Sequence, residues 1–275
     1  MQPVSDVGTQ RAGQPVVGIF DSGVGGISVL RHIREALPRQ DLIYCADSLH
    51  TPYGNKSPEQ ILERSLRLTE FLLEQGAKAI VVACNTATAA AVGALRERYS
   101  VPIIGMEPAV KPAVAATCSG VVGVMATVGT LKSAQFAALL ESYGKGVQVV
   151  TQACQGLVEC VERGELDTPA TRDLVLKYLH PLLAGGADTI VLGCTHYPFL
   201  RALIEQETGP DVAIIDTGEA VARQLRRRLE EHGLLAESSG QAAFWTSGNP
   251  AEAQPVMSAL WRQPVTVQQL PAWAK

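Results

Sequence analysis

The chain has 275 residues, of which 47% are apolar and 18% charged, and its formal net charge is −4. This is ample apolar material for one large or two moderate cores and excludes a disordered chain. The acidic balance gives nucleic acid no global basic field, so no direct nucleic-acid partner is expected; no apolar run approaches the roughly 20 residues that cross a bilayer, so no membrane partner is expected either.

Residues 1–14, MQPVSDVGTQRAGQ, are polar and lack the apolar stretch of a secretory signal; residues 1–15 read as a flexible tail on a cytoplasmic protein. Beyond the tail, short β-branched runs alternate with longer amphipathic stretches. The runs predict strands at Val16–Phe20, Leu42–Cys45, Ala79–Ala83, Ile103–Ile104, Val121–Met125, Val147–Thr151, Thr189–Leu192 and Ala213–Ile215. Helical periodicity covers Gly26–Ala36, Pro58–Glu74, Ala87–Tyr99, Lys132–Tyr143, Thr168–Leu183 and Gly218–Glu231. Strand followed by helix, repeated, predicts an α/β fold with parallel sheets. The strands are apolar throughout rather than alternating, as expected of sheets covered on both faces.

Part of this pattern is written twice. VVGIFDSGVGGISVLRHIREAL (16–37) is matched by VVGVMATVGTLKSAQFAALLESY (121–143), and AKAIVVACNTATAA (77–90) by ADTIVLGCTHYPFL (187–200). The first pair of strands is offset by 105 residues and the second by 110. Two offsets this similar, in the same order, imply two copies of one unit: two pseudo-symmetric lobes, each a mostly parallel sheet flanked by helices, with the active site in the cleft between them. In the second pair each strand runs into a Cys, Cys84 and Cys194. Ligands of open parallel sheets bind beyond the carboxyl ends of the strands, so two lobes facing one another would bring both thiols to one cleft.

The six Cys do not form a disulfide framework, and with no C-x-x-C and no His pair at ligand spacing they form no zinc signature; no metal is expected. Cys45, Cys118 and Cys160 read as small buried hydrophobes. Opposed thiols at 84 and 194 admit several chemistries. A redox pair usually sits in C-x-x-C, and a hydrolase would use Cys194 with His196 and leave half of the duplication unexplained. Acid/base work from two sides uses both copies: one thiolate takes a proton from a carbon while the opposite thiol gives one to the other face. A free thiol with a pKa of about 8.5 supplies both forms when tuned. Asp21, at the end of the first strand, is a candidate tuner of Cys84, though it also suits a cap on the helix beginning near Gly26. His196 and Glu162 are candidates beside Cys194, against the alternatives of a turn residue and a solvated helix face. The glycines of DSGVGGIS do not have G-x-G-x-x-G spacing, and a tight turn offering N–H groups to a carboxylate fits them better than a dinucleotide site. TPYGN (51–55), NTAT (85–88) and Thr195–His196 add amides and hydroxyls suited to a small acid or amino acid.

In this order, GIFDSGVGG, ADSLHTPYGN, ACNTATA, GVMATVGT and GCTHYPFL resemble the cofactor-independent aspartate/glutamate racemase family over roughly residues 16–262. The resemblance implies racemisation of glutamate without a cofactor, in the service of peptidoglycan synthesis, with Cys84 and Cys194 as the catalytic acid/bases. It implies that Asp21 assists Cys84, that His196 and Glu162 assist Cys194, and that Asp21, Ser22, Tyr53, Gly54, Asn85, Thr86, Thr130, Thr195 and His196 contact the substrate. It further implies a homodimer. One lobe would comprise residues 16–108 and 218–275, with a last strand and helix in FWTSGNPAEAQPVMSALW, and the other residues 109–217. One segment departs from the family pattern. CQGLVECVE has Gln155 and Glu159 where C-P-x-x-V-P-x-V-E has prolines, which leaves Glu159 as an alternative to Glu162. Racemisation of aspartate, decarboxylation (for which one Cys suffices) and amino-acid binding without catalysis are the competing expectations.

Overall fold

The computed structural model describes residues 15–236 and 239–275, so the predicted tail, apart from Pro15, lies outside the described residues. Ten strands are found among them: β1 (Val16–Asp21), β2 (Asp41–Ala46), β3 (Ala77–Val82), β4 (Ile103–Ile104), β5 (Val121–Ala126), β6 (Gln148–Ala153), β7 (Thr189–Gly193), β8 (Ala213–Ile215), β9 (Ala242–Thr246) and β10 (Val267–Gln269). They form two sheets, ordered β10-β9-β2-β1-β3-β4 and β6-β5-β7-β8, and every pairing is parallel. With helices on their faces, this is the expected two-sheet α/β fold.

The duplication is visible in the topology. β2-β1-β3-β4 and β6-β5-β7-β8 have the same order, with β5 in the place of β1 and β7 in that of β3. The first sheet is then extended past β2, where Tyr44 of β2 is in register with Phe244 of β9. The predicted final strand and helix correspond to β9 and the helix Pro250–Trp261, but β10 was not foreseen. At three residues, its Val-Gln-Gln carries too little apolar pattern to register as a strand.

The central strands are apolar because they are covered on both faces: β1, β3, β5 and β7 are buried along nearly their whole length. β6 departs from that expectation. It is the sheet edge, and Gln148 and Thr151 are exposed. The predicted helix 132–143 corresponds to Ala134–Tyr143, capped by Ser133, and a short helix that was not foreseen, Val128–Leu131, capped by Thr127, precedes it. Helix Pro58–Glu74 begins with a full capping box between Ser57 and Gln60, with Pro58 in its first turn. Helix Gly218–Glu231 packs on helix Ile27–Ala36, burying Val221, Leu225, Leu229 and Leu30, Ile33. Cys45 and Cys160 are buried as expected, but Cys118 is exposed, in the turn between helix Val110–Ala116 and β5.

Candidate active site

The carboxyl ends of the two sheets meet around a cavity with about 260 Å³ of open space. From the first sheet come Ser22, Pro52, Tyr53, Gly54, Cys84, Asn85 and Thr86; from the second come Thr127, Val158, Cys194, Thr195 and His196. Cys84 follows β3 with one residue between, and Cys194 follows β7 directly. The structure therefore places one thiol on each wall, both almost wholly buried.

The surroundings of the two thiols differ. Cys84 is the N-cap of helix Asn85–Arg98, and its Sγ accepts the Ala87 N–H at 3.4 Å; it also lies 3.9 Å from the Ser22 hydroxyl. A helix N-terminus favours negative charge, but burial, and then the charge of Asp21, push the Cys84 thiol well above its ordinary range. On the other wall, Cys194 Sγ is 3.7 Å from His196 Nδ1, and His196 Nε2 is 2.6 Å from Glu162 Oε1. Burial disfavours the imidazolium, but the Cys194 sulfur and the Glu162 carboxylate together outweigh burial and raise His196 well above the usual histidine range. Glu162 is held from the opposite sheet: the Val24 N–H donates to its Oε1 at 2.7 Å.

Asp21 lies behind the cavity wall, fully buried. Its Oδ1 accepts the Ser22 N–H at 2.7 Å; its Oδ2 accepts the Gly26 N–H at 2.6 Å and the Thr195 hydroxyl at 3.2 Å. It thus holds the turn ahead of helix Ile27–Ala36 without capping the helix itself, and it links to the opposite sheet. Burial raises its carboxyl above the ordinary value, against the pull of the His196 charge.

Three amides of the DSGVGG turn, those of Ser22, Val24 and Gly26, are taken by the carboxylates of Asp21 and Glu162. The glycines are required by proximity: a Cβ on Gly23 would overlap the Glu162 carboxylate, and one on Gly25 the His196 ring. Ser28 ties the turn across the cleft by donating to Thr195 O at 2.8 Å.

The remaining predicted residues divide by what they have left to offer. Asn85 is buried, and neither its Oδ1 nor its Nδ2 has a hydrogen-bond partner among the described residues, as expected of an amide kept for a ligand. Tyr53 lines the cavity, but its hydroxyl is committed to Asp47 Oδ2 at 2.6 Å. Thr86 meets Thr127 at 2.9 Å and Thr130 at 3.1 Å, so Thr130 stands behind the lining, in contact with Thr86. Thr127, Pro52 and Val158 were missed. Thr127 lay inside the quoted GVMATVGT phrase, and its position ahead of a short helix was the available signal. Between the two acidic candidates, it is Glu162 that touches His196; Glu159 lines a neighbouring chamber.

Two parallel sheets that present a thiol from each wall to a small polar cavity define an α/β protein suited to proton transfer on a small ligand. Residues 17–225 match the family described as Asp/Glu/Hydantoin racemase, and the chain belongs to that family, as an isomerase of the amino-acid racemase class. It is 61% identical over 249 residues to the glutamate racemase of Ectopseudomonas mendocina (strain ymp), covering 90% of this chain and 95% of that one. Among solved structures it is similar to a glutamate racemase isoform from Bacillus anthracis (TM-score 0.85, 35% identity, covering 95% of this chain and 99% of that one). It is likewise similar to the Escherichia coli glutamate racemase in complex with L-glutamate and the activator UDP-MurNAc-ala (TM-score 0.84, 32% identity, covering 94% and 98%).

Proposed function

We propose that the chain interconverts L- and D-glutamate by a two-base proton transfer at Cα, without a cofactor, and that the D-glutamate formed supplies peptidoglycan synthesis. The observation that carries this reading is the presence of Cys84 and Cys194 on opposite walls of one cavity, each at the end of an equivalent strand. In one direction the Cys84 thiolate removes the Cα proton and the Cys194 thiol delivers one to the opposite face. The reaction then ends with a Cys84 thiol and a Cys194 thiolate, the starting state for the reverse reaction. Asp21 handles the proton of Cys84, and His196, held by Glu162, handles that of Cys194. The free amide of Asn85 and the hydroxyls of Thr86 and Thr195 bind the polar groups of the substrate.

The substrate assignment is supported by the names of the relatives, and chiral analysis with L- and D-glutamate and L- and D-aspartate tests it. Turnover of aspartate alone would defeat it. For the mechanism, Cys84→Ala and Cys194→Ala each remove the proton carrier of one face and are expected to abolish racemisation. Full activity in either variant would defeat the two-base scheme. Rescue by D-glutamate of cells lacking the protein tests the cell-wall role. The proposed lobes, 16–108 with 218–275 and 109–217, are supported by the pairing of β9 and β10 into the first sheet. A homodimer is the assembly proposed, and sedimentation tests it.

A further inference from the structure

Beside the catalytic cavity lies a second chamber with about 640 Å³ of open space, lined by Pro52, Gly54, Asn55, Thr127, Val128, Cys154, Gln155, Gly156, Val158 and Glu159. Four of these residues, Pro52, Gly54, Thr127 and Val158, also line the catalytic cavity, so the two spaces share a wall. The chamber is much the larger. Glu159 supplies its one carboxylate, on the helix Leu157–Glu162 that also carries Glu162. The two have separate surroundings: Glu162 is engaged by His196 and Val24, whereas the Glu159 side chain is half-buried and engages no hydrogen bond or ion pair among the described residues. No cationic side chain lines the chamber to neutralise it.

From this we infer that Glu159 is a specificity-determining residue at the mouth of the active site, selecting acids that carry an ammonium group over those that do not. The assignment rests on the glutamate reading above. An unpaired carboxylate in a concave, partly desolvated space focuses its field on whatever approaches the cavity. A dicarboxylate without an amine meets only repulsion there. An α-amino dicarboxylic acid offers an ammonium to Glu159 as it enters, and the attraction offsets the repulsion of its carboxylates. Gln155, exposed on the same wall, adds an amide but no charge.

Calorimetry tests the assignment without relying on turnover. Affinities for L-glutamate and for glutarate, the same skeleton without the amine, are compared in the unmodified enzyme, Glu159→Gln and Glu159→Lys, each checked for fold by circular dichroism. The unmodified enzyme is expected to prefer glutamate. The preference should fall by about three- to tenfold in Glu159→Gln and further in Glu159→Lys, because a charge at the rim is being removed and then reversed. The change should shrink in 0.5 M salt, where the Debye length falls to about 4 Å from about 10 Å at 0.1 M, and kcat for glutamate should stay within about twofold while KM rises. An unchanged glutamate-to-glutarate ratio in both variants overturns the assignment, as does a fall in kcat with KM unaltered. Failure of the unmodified enzyme to bind glutamate overturns the glutamate reading, and this assignment with it; binding with an unchanged ratio overturns this assignment alone.

Discussion

Gly25 and His196 are packed so closely that a methyl group on the glycine would occupy the imidazole ring. The ring is pinned on its other side by Glu162, and Glu162 in turn by the Val24 N–H of the same turn. The turn therefore sets the position of an imidazole that belongs to the opposite sheet. Gly25→Ala should leave the fold intact, since the new methyl group enters the cleft and not a sheet core. It should lower kcat by at least about tenfold by displacing the ring from Cys194, an effect in keeping with the cost of small misplacements in a catalytic geometry. Circular dichroism with steady-state kinetics checks both halves of this expectation.

Glu162→Gln tests the electrostatic side of the same contact. The negative charge of Glu162 is one of the influences that raise His196, so its removal should lower the imidazole toward the ordinary value of 6.5. Activity that depends on the imidazolium is present below the folded pKa and lost as pH rises through it. The alkaline limb of kcat/KM should therefore move to lower pH in Glu162→Gln, with kcat reduced about ten- to hundredfold. An unmoved limb would show that another group sets it.

Thr127 links the two sheets through its hydroxyl, 2.9 Å from Thr86 and 3.0 Å from Thr130, and also caps the helix Val128–Leu131. In Thr127→Val the Thr86 and Thr130 hydroxyls keep each other at 3.1 Å, so no orphan group is created on them. The expected loss is about 1 kcal/mol for the cap, seen in denaturant unfolding. A severalfold rise in KM should accompany it, because Thr86 loses one of its two hydroxyl contacts across the cleft and keeps only that to Thr130.

Strand composition and the two offsets were enough to read the sheets and the thiols, because β1, β3, β5 and β7 are buried on both faces and show it as unbroken apolar runs. The partners of the DSGVGG amides were not readable. Val24 and Glu162 are 138 positions apart, and nothing local marks one as the donor to the other. The same holds for Tyr53, whose hydroxyl looks available in TPYGN until Asp47 is seen to take it. Cys84 and Cys194 could be paired from the repeat, but their unlike surroundings depend on where Asp21, Glu162 and His196 arrive in space. Cys118 carries no sequence mark of exposure, and only the turn that holds it decides the matter.

Asp47 anchors the loop that carries Tyr53 and Gly54, and its carboxylate is fully buried. It accepts from Arg64 Nε and Nη2, both at 2.9 Å, and from the Tyr53 hydroxyl, while Arg64 Nη2 also reaches Ala274 O at 2.7 Å near the end of the chain. Burial alone would raise the Asp47 carboxyl, but the hydrogen bonds and charge of Arg64 hold it below its ordinary value of 3.8. In Asp47→Asn the Arg64 guanidinium stays buried without its counter-charge, a change that typically costs about 3–5 kcal/mol. Because the folded pKa is depressed, the stability contributed by the carboxylate is complete above the unfolded value and is lost as pH falls through the folded one. The difference between Asp47→Asn and the unmodified enzyme should therefore be largest near neutral pH and narrow steadily below about pH 3.8, where the unfolded carboxyl begins to take its proton. Urea unfolding at a series of pH values measures this directly. A difference independent of pH would mean that the shape of the Asp47 side chain, and not its charge, holds the loop in place.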